Sequence, residues 1–204
     1  MARRSEHTQE QIREMVLKAA ETIVIDEGVN ALTVRKVAME IGYTVGSIYM
    51  VFENMGDLIM HIKGRTLDEL ADELDEVSGG EDAVERRILA VAKAYLSFAH
   101  DHYNRWRMIF DTLNNEPAPE WYVQKIARAM LIVETLFRQL LPDASAEQVA
   151  GATHALWSGV HGACVLSLNG SLGRVGEQNA AATVQLLVEN FIRGWTVTAH
   201  REDA

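Results

Sequence analysis

The chain has 204 residues, of which 48% are apolar and 24% charged, and its formal net charge is −10. This composition excludes a disordered chain, and only 3 prolines and 14 glycines argue against collagen-like or many-turned all-β architectures. The acidic balance excludes a histone-like, non-specific nucleic-acid binder, but it allows a small DNA-reading segment attached to an acidic body.

Cysteine usage and hydropathy set the expected compartment. Cys164 is the one cysteine, so no intramolecular disulfide can form, which fits a reducing compartment. The first residues are polar and offer no signal-peptide core, and no stretch of about eighteen apolar residues occurs. We therefore expect a cytoplasmic protein with no membrane-spanning segment.

Apolar residues recur at helical spacing from the start of the chain. The first stripe predicts a helix that ends at Glu27-Gly28, where glycine can take a left-handed C-terminal position. Its members are Ile12, Met15, Val16, Ala19, Ala20, Ile23 and Val24. A second stripe predicts a connecting helix over 57–77 and contains Leu58, Ile62, Leu70, Leu74 and Val77.

The later helices follow the same pattern. A third stripe predicts a helix that contains Ile88, Val91, Ala92, Tyr95 and Ala99. A loop is expected over 114–119. The next predicted helix ends before Pro142, and its stripe contains Tyr122, Ile126, Ala129, Met130, Val133, Phe137 and Leu140. Two long helices are predicted over about 144–169 and 178–199, with a loop at 170–176 between them. Strand-like alternation is absent, so the predicted class is all-α.

Between Thr33 and Phe52 the pattern changes to two short helices around a glycine. Thr33 and Thr44 can cap these helices, and Gly42 stands where a tight turn needs positive φ. Ala38, Gly42 and Ile48 have the spacing of a helix-turn-helix. By itself, this spacing fits a simple helical hairpin about as well.

The surrounding residues resemble a known family. The runs Leu32–Ala38 and Ile41–Tyr49, followed by Phe52, resemble the N-terminal domain of TetR-family repressors over about residues 8–60. The resemblance implies a three-helix DNA-binding domain, 1–56, and a connecting helix that leads into a helical ligand-binding and dimerisation domain, 57–204. Residues 157–162 also look like the WHG-type ligand domain of one subgroup. The chain departs from the family at Met55, where a lysine usually lies near the phosphates.

Candidate DNA contacts follow from the position of each residue in the short helices. Val45, Gly46, Ser47 and Met50 are expected at base edges in the major groove. Phosphate contacts are expected from hydroxyls and cations: Thr33, Tyr43, Thr44 and Tyr49, with Arg3, Arg4, Arg35 and Lys36. The Tyr49 ring could equally fill the domain core. The first 56 residues hold six Lys/Arg against eight Asp/Glu, so we expect modest non-specific affinity.

The last two long helices suit a homodimer interface. Small residues lie on one face of the first, namely Ala152, Ala155, Gly159, Gly162 and Ala163, and the second has Val184, Leu187, Val188, Phe191 and Trp195 at heptad-like spacing. In the family that this chain resembles, such helices form a four-helix interface between subunits. Packing within one chain is the alternative.

A ligand site is expected among the large side chains of the body. Its candidate residues combine apolar bulk with few polar groups, which favours a small, mostly hydrophobic effector: Tyr95, Phe98, Trp106, Phe110, Trp121, Met130, Trp157 and His161. Core packing is the alternative for each of them. No catalytic, metal-binding or cofactor-binding motif was found.

The leading hypothesis is a dimeric repressor that leaves a palindromic double-stranded DNA operator when a small molecule binds. A second hypothesis is an all-α small-molecule binder or enzyme whose N-terminal segment no longer binds DNA, which Met55 and the acidic N-terminal segment would favour. A third is a DNA-binding dimer with no effector.

Overall fold

A computed structural model describes residues 7–110, 117–174, 176 and 179–202. Regular structure in these ranges is entirely helical, which confirms the all-α class. The elements are α1 (Gln9–Glu27), a 3₁₀ turn (Val29–Ala31), α2 (Val34–Glu40), α3 (Val45–Tyr49), α4 (Met55–Ser78), α5 (Val84–Asp101), α6 (Tyr103–Phe110), α7 (Glu120–Leu140), α8 (Ala146–Leu168), α9 (Ser171–Arg174) and α10 (Ala180–Glu202).

The chain divides into two compact units. The first comprises the described residues of Met1–Asp68 and His102–Tyr122, and the second those of Glu69–Asp101 and Val123–Ala204. Helices α4 and α7 therefore contribute residues to both units. Within the described ranges, no helix is both long and apolar enough to cross a membrane.

Helix α1 begins with a reciprocal cap. The Gln11 backbone N–H donates to the Thr8 hydroxyl at 3.2 Å, and the Gln11 side chain accepts from the Thr8 backbone N–H at 2.8 Å. These bonds satisfy two donors that the first turn of a helix leaves without partners. The helix ends at Gly28, whose φ of +82° is the positive value expected there, although its ψ of 167° lies outside the left-handed helical region.

The helix-turn-helix forms as its spacing predicts. Thr33 caps α2, with its hydroxyl accepting from the Lys36 N–H at 3.2 Å, and Thr44 caps α3. Gly42 has φ of +71° in the turn, while Ala38 and Ile48 are buried. The caps, the turn and the two core positions are thus confirmed.

The core of the first unit also includes a residue from α6. Met108 is fully buried in the same apolar cluster as residues of α1, α2, α3 and α4. The Asn104 amide donates to the Ile25 carbonyl at 2.9 Å, which ties α6 to the last turns of α1. The sequence patterns did not predict α6, because eight residues carry too short a stripe for periodicity to identify a helix.

The second unit is built from long helices around a separate core. Helix α10 packs against α5 and α8, and α5 packs against α8. Phe137 of α7 is fully buried and meets the rings of Phe191 and Trp195 edge-on, at centroid distances of 6.1 and 4.9 Å. Cys164 is buried as expected, and burial raises the pKa of its thiol to about 12.

Three details differ from the sequence patterns. The segment expected as a loop before α10 contains α9, which buries Leu172, and Val77 at the end of α4 is exposed. Gly159 lies against α10 of its own chain, since an added Cβ would come within 2.9 Å of Leu187 Cδ2. The same construction at Gly162 meets no atom within 4 Å. The small-residue face therefore serves partly for packing within the chain.

Candidate nucleic-acid interface

One side of helix α3 is packed against the core of the first unit, and the other side is exposed to solvent. Ile48 is 1% exposed in the core, and the Thr44 hydroxyl accepts from the Ser47 backbone N–H at 3.3 Å. A helix of five residues has little stability of its own, so these tertiary and capping contacts define its position. The result is a short helix whose other side faces solvent.

The solvent side of α3 carries most of the predicted base-reading residues. Met50 is 66% exposed, Val45 and Gly46 are also exposed, and Ser47 is partly buried. The Ser47 hydroxyl lies 3.0 Å from the Thr44 hydroxyl. Exposed apolar side chains such as Val45 and Met50 could contact thymine methyl groups in the major groove.

The two tyrosines differ in their surroundings. Tyr49 is half-exposed, so its ring does not fill the core. Tyr43 is partly buried against the core of the first unit, and its hydroxyl lies 2.7 Å from Nδ1 of His7. His7 is a neighbour that the sequence patterns did not identify, because 36 residues separate the two side chains.

The predicted cations are not equally available. Arg35 is exposed and has no ion-pair partner in the described part of the chain, whereas Lys36 forms an ion pair with Glu27 at the end of α1. Arg3 and Arg4 lie outside the described residues. Thr33 is exposed at the start of α2, where its hydroxyl already serves as a cap.

Met55 has a structural role in place of the cation expected from the resemblance. It is the first residue of α4 and packs, partly buried, against the core of the first unit. An apolar side chain adds packing at this point but cannot attract a phosphate. The acidic DNA-reading segment must therefore depend on the placement of a few groups.

The predicted ligand residues are divided between the units. Trp106, Phe110 and Trp121 belong to the first unit, and Tyr95, Phe98, Met130, Trp157 and His161 to the second. Within the first unit, Trp106 and Phe110 meet edge-on at 5.2 Å, and the Trp121 ring stacks on His61 at 4.7 Å.

In the second unit, polar and aromatic groups meet between α5 and α8. The Tyr95 hydroxyl lies 2.8 Å from Nδ1 of His161, and the His161 ring stacks on Trp157 at 5.2 Å. Burial lowers the pKa of His161, which favours a neutral imidazole. One turn before Trp157, the Thr153 hydroxyl is buried without a hydrogen-bond partner in the described structure.

Comparison with known proteins decides the family. Residues 16–62 match the family model described as bacterial regulatory proteins, tetR family, and residues 88–191 match the tetracyclin repressor-like, C-terminal domain. The chain belongs to the TetR family. It is therefore a DNA-binding transcriptional regulator, and its first three helices form the family's DNA-binding domain. The description of the C-terminal match names no subgroup, so the likeness of residues 157–162 to the WHG type stays a prediction.

Two relatives of this TetR-family chain are also described as HTH-type transcriptional regulators. An uncharacterized HTH-type transcriptional regulator of Mycobacterium tuberculosis is 27% identical over 78% of this chain and 71% of its own length. The HTH-type transcriptional repressor BepR of Brucella suis is 38% identical over 31% of this chain and 30% of its own length.

Solved structures share the fold. A protein of unknown function from Rhodococcus sp. RHA1 superposes with a TM-score of 0.77 at 21% identity, covering 94% of this chain and 98% of its own. A possible TetR family transcriptional regulator from Streptomyces coelicolor A3(2) gives a TM-score of 0.68 at 15% identity, covering 91% of this chain and 99% of its own.

The Lys36–Glu27 ion pair generates a prediction about DNA affinity. Glu27→Gln releases the Lys36 ammonium and removes a negative charge near α2, so operator affinity should rise roughly two- to fivefold at low salt, with a steeper salt dependence. Fluorescence anisotropy across a salt series measures both quantities. Glu85→Gln in α5 is the control, because it changes the net charge equally in the second unit. Equal effects of the two substitutions would show that overall charge, and not Lys36, is responsible.

Proposed function

We propose that this regulator is a homodimeric repressor that binds a palindromic operator through residues 33–52 and leaves it when a small, mostly hydrophobic ligand binds. The proposal divides the chain functionally into a DNA-reading segment, 1–56, and a ligand-binding and dimerisation segment, 57–204. The observation that carries it is α3 itself, a helix anchored in the core by Ile48 with Tyr49 and Met50 exposed.

The proposed contacts follow the exposure of each residue. Base edges are assigned to Val45, Gly46, Ser47 and Met50, because these residues form the solvent side and exit of α3. Phosphates are assigned to the hydroxyls and cations around that helix: Thr33, Arg35, Lys36, Tyr43, Thr44 and Tyr49. Arg35 and Tyr49 are the most accessible of the long polar side chains among them.

The DNA assignment predicts the effect of removing these two side chains. Tyr49→Ala combined with Arg35→Ala should weaken operator binding about 10- to 100-fold, since each lost contact costs on the order of 0.7–1.4 kcal/mol and every 1.4 kcal/mol is about tenfold. The operator is first located by footprinting on the DNA upstream of the protein's own coding sequence. Helical content by circular dichroism should not change, because both side chains are exposed.

A matched pair elsewhere provides the control for that experiment. Tyr103→Ala with Arg86→Ala removes the same residue types from exposed positions outside the helix-turn-helix. This variant should bind the operator as the wild type does. Equal binding by the Tyr49/Arg35 variant and by the wild type would refute the proposed interface.

Exposed apolar side chains support the homodimer. Leu186 on α10 is 64% exposed, and Val197 on the same helix, with Val165 and Leu166 on α8, is also exposed. Helices α8 and α10 pack against each other, and exposed apolar side chains on packed helices suit a surface that another protein covers. A twofold dimer presents two helix-turn-helix motifs, which explains why a palindromic operator is proposed.

The dimer proposal is tested at Leu186, because Gly159 already contacts its own chain. Leu186→Arg places a charge on the proposed interface and should shift the protein towards monomer at micromolar concentration in sedimentation velocity. Leu131→Arg on α7, also an exposed leucine, should leave the dimer intact. A wild-type protein that sediments as a monomer at these concentrations would contradict the proposal.

The polar groups between α5 and α8 support a ligand site in the second unit. The Tyr95–His161 hydrogen bond and the unpartnered Thr153 hydroxyl offer a few polar contacts among apolar side chains. Burial keeps His161 neutral, so a mostly hydrophobic ligand suits it better than a multiply charged anion. Helix α4, which has residues in both units, is the proposed link to the DNA-reading segment.

The switch must obey thermodynamic reciprocity. A hydrophobic compound that releases the operator should bind free protein more tightly than operator-bound protein, by the same factor by which it weakens DNA binding, roughly 5- to 150-fold. Screening such compounds by operator release and then titrating both protein forms by calorimetry measures the two factors. Equal affinity for the two forms would refute the switch and leave the DNA assignment unaffected.

A further inference from the structure

The exit of α3 is held by a side chain from α1. Arg13 is partly buried, and its Nη1 donates to the Val51 carbonyl at 3.2 Å, two residues after α3 ends. The Val51 carbonyl lies beyond the last turn of α3, where backbone acceptors need a partner from outside the helix. The guanidinium satisfies this acceptor and thereby ties the segment that follows α3 to α1.

The direction of the Arg13 guanidinium is determined by two further contacts. Its central carbon lies 4.5 Å from the centroid of the Phe52 ring, and Nη2 lies 2.9 Å from Nε2 of His61 on α4. Arginine has donors only, so His61 Nε2 is the acceptor in this hydrogen bond. Phe52 and His61 thus both contact the guanidinium.

His61 is itself fixed by aromatic rings. Its ring stacks on Trp121 at 4.7 Å with an interplanar angle of 7°, and it meets Phe52 edge-on at 5.8 Å. The Asp57 carboxylate lies 3.4 Å from the same Nε2 atom, which accepts from Arg13 and therefore offers no proton to Asp57. Residues from α1, α4, the exit of α3 and the first turn of α7 therefore form one connected group in the first unit, which we call the Arg13 cluster: Arg13, Phe52, Asp57, His61 and Trp121.

We propose that Arg13 is a positioning residue for DNA recognition, which sets the placement of α3 through the Val51 carbonyl, and that His61 orients the Arg13 guanidinium for this task. The proposal rests on the assignment of α3 as the base-reading helix. Arg13 itself is only partly exposed and needs no contact with DNA. It acts on the base-reading side chains Val45, Ser47 and Met50 through the backbone that carries them.

A positioning role and a purely structural role have different consequences. Contacts to base edges require accurate placement, whereas phosphate contacts tolerate small displacements of a helix. Loss of a positioning residue should therefore reduce the ratio of operator affinity to non-specific affinity. Loss of a purely structural cross-link should lower the unfolding free energy and leave that ratio unchanged.

The first unit contains a matched cross-link for this comparison. Arg65 on α4 forms ion pairs with Glu14 and Glu21 of α1 and makes no hydrogen bond to the segment after α3 among the described contacts. Arg65→Met removes a guanidinium that bridges two helices, as Arg13→Met does. Methionine keeps an apolar stem of similar length in both variants, so the packing of that stem is largely preserved.

The experiment measures the affinity of each variant for the operator and for a scrambled duplex of equal length, together with its urea unfolding curve. Arg13→Met should reduce the affinity ratio about tenfold, and Arg65→Met should leave it within about twofold of the wild type. Arg13→Lys, which keeps the positive charge and a donor group but loses the planar guanidinium, should give an intermediate ratio. Equal ratios for the wild type and Arg13→Met would overturn the proposal, as would equal losses in Arg13→Met and Arg65→Met.

Two His61 variants test the orienting role and remain informative if Arg13→Met fails to fold. His61→Gln keeps an oxygen acceptor for Arg13, whereas His61→Phe keeps the ring against Trp121 and Phe52 but offers no acceptor. The glutamine variant should retain more of the affinity ratio than the phenylalanine variant. The opposite order would overturn the role of His61. If the Tyr49/Arg35 variant binds normally while Arg13→Met loses specificity, the assignment of side chains in the interface fails and the positioning role stands.

Discussion

The DNA-reading part of this protein depends on how short α3 is. Five residues form little more than one helical turn, and such a helix cannot maintain its own conformation, since nucleation costs more than its few hydrogen bonds return. Contacts at three points therefore hold it: the Thr44 cap at its start, Ile48 packed in the core, and the bond from Arg13 of α1 to the segment after its end. Because these contacts are made by other side chains, the side chains of Tyr49 and Met50 are not needed to hold α3 and remain exposed to solvent.

The net negative charge of the chain also constrains how the DNA-binding helices can bind DNA. With a net charge of −10, long-range attraction to DNA is weak, so affinity must come from short-range contacts at defined positions. Glu27 neutralises part of the charge of Lys36, and Met55 adds packing where the family usually has a cation. Weak non-specific binding, where it occurs, leaves more of the discrimination between DNA sequences to base contacts.

The second unit narrows an ambiguity that periodicity left open. Small residues on α8 fit either a partner subunit or a helix of the same chain, and the structure assigns Gly159 to packing within the chain. Gly159 accommodates Leu187 of its own chain, and Gly162 has open space above it. In this unit the Thr153 hydroxyl has no hydrogen-bond partner in the described structure, whereas the hydroxyls of Thr135 and Thr196 donate to the carbonyl four residues earlier, as does that of Thr66 in the first unit. This difference marks Thr153 as a polar group that a ligand could satisfy.

The sequence by itself determined the features that depend on neighbouring residues. Helix capping by Thr33 and Thr44, the positive φ at Gly42 and the buried face of α1 follow from spacings of three or four residues, where backbone geometry dictates which side chains meet. Most of the helices and the helix-turn-helix could be predicted for this reason.

Only the tertiary structure decided the contacts between distant residues. It placed Met108 in the first core, His7 beside Tyr43, Glu27 beside Lys36, and Arg13 between Val51 and His61. Of these, the pairs whose residue numbers differ by 36 or more leave no periodic trace in the chain, since each depends on how whole helices pack. The exposure of Tyr49 was decided in the same way, because its position on α3 allowed both a buried and an open ring, and only the packing of Ile48 beneath the helix determined which side of α3 faces solvent.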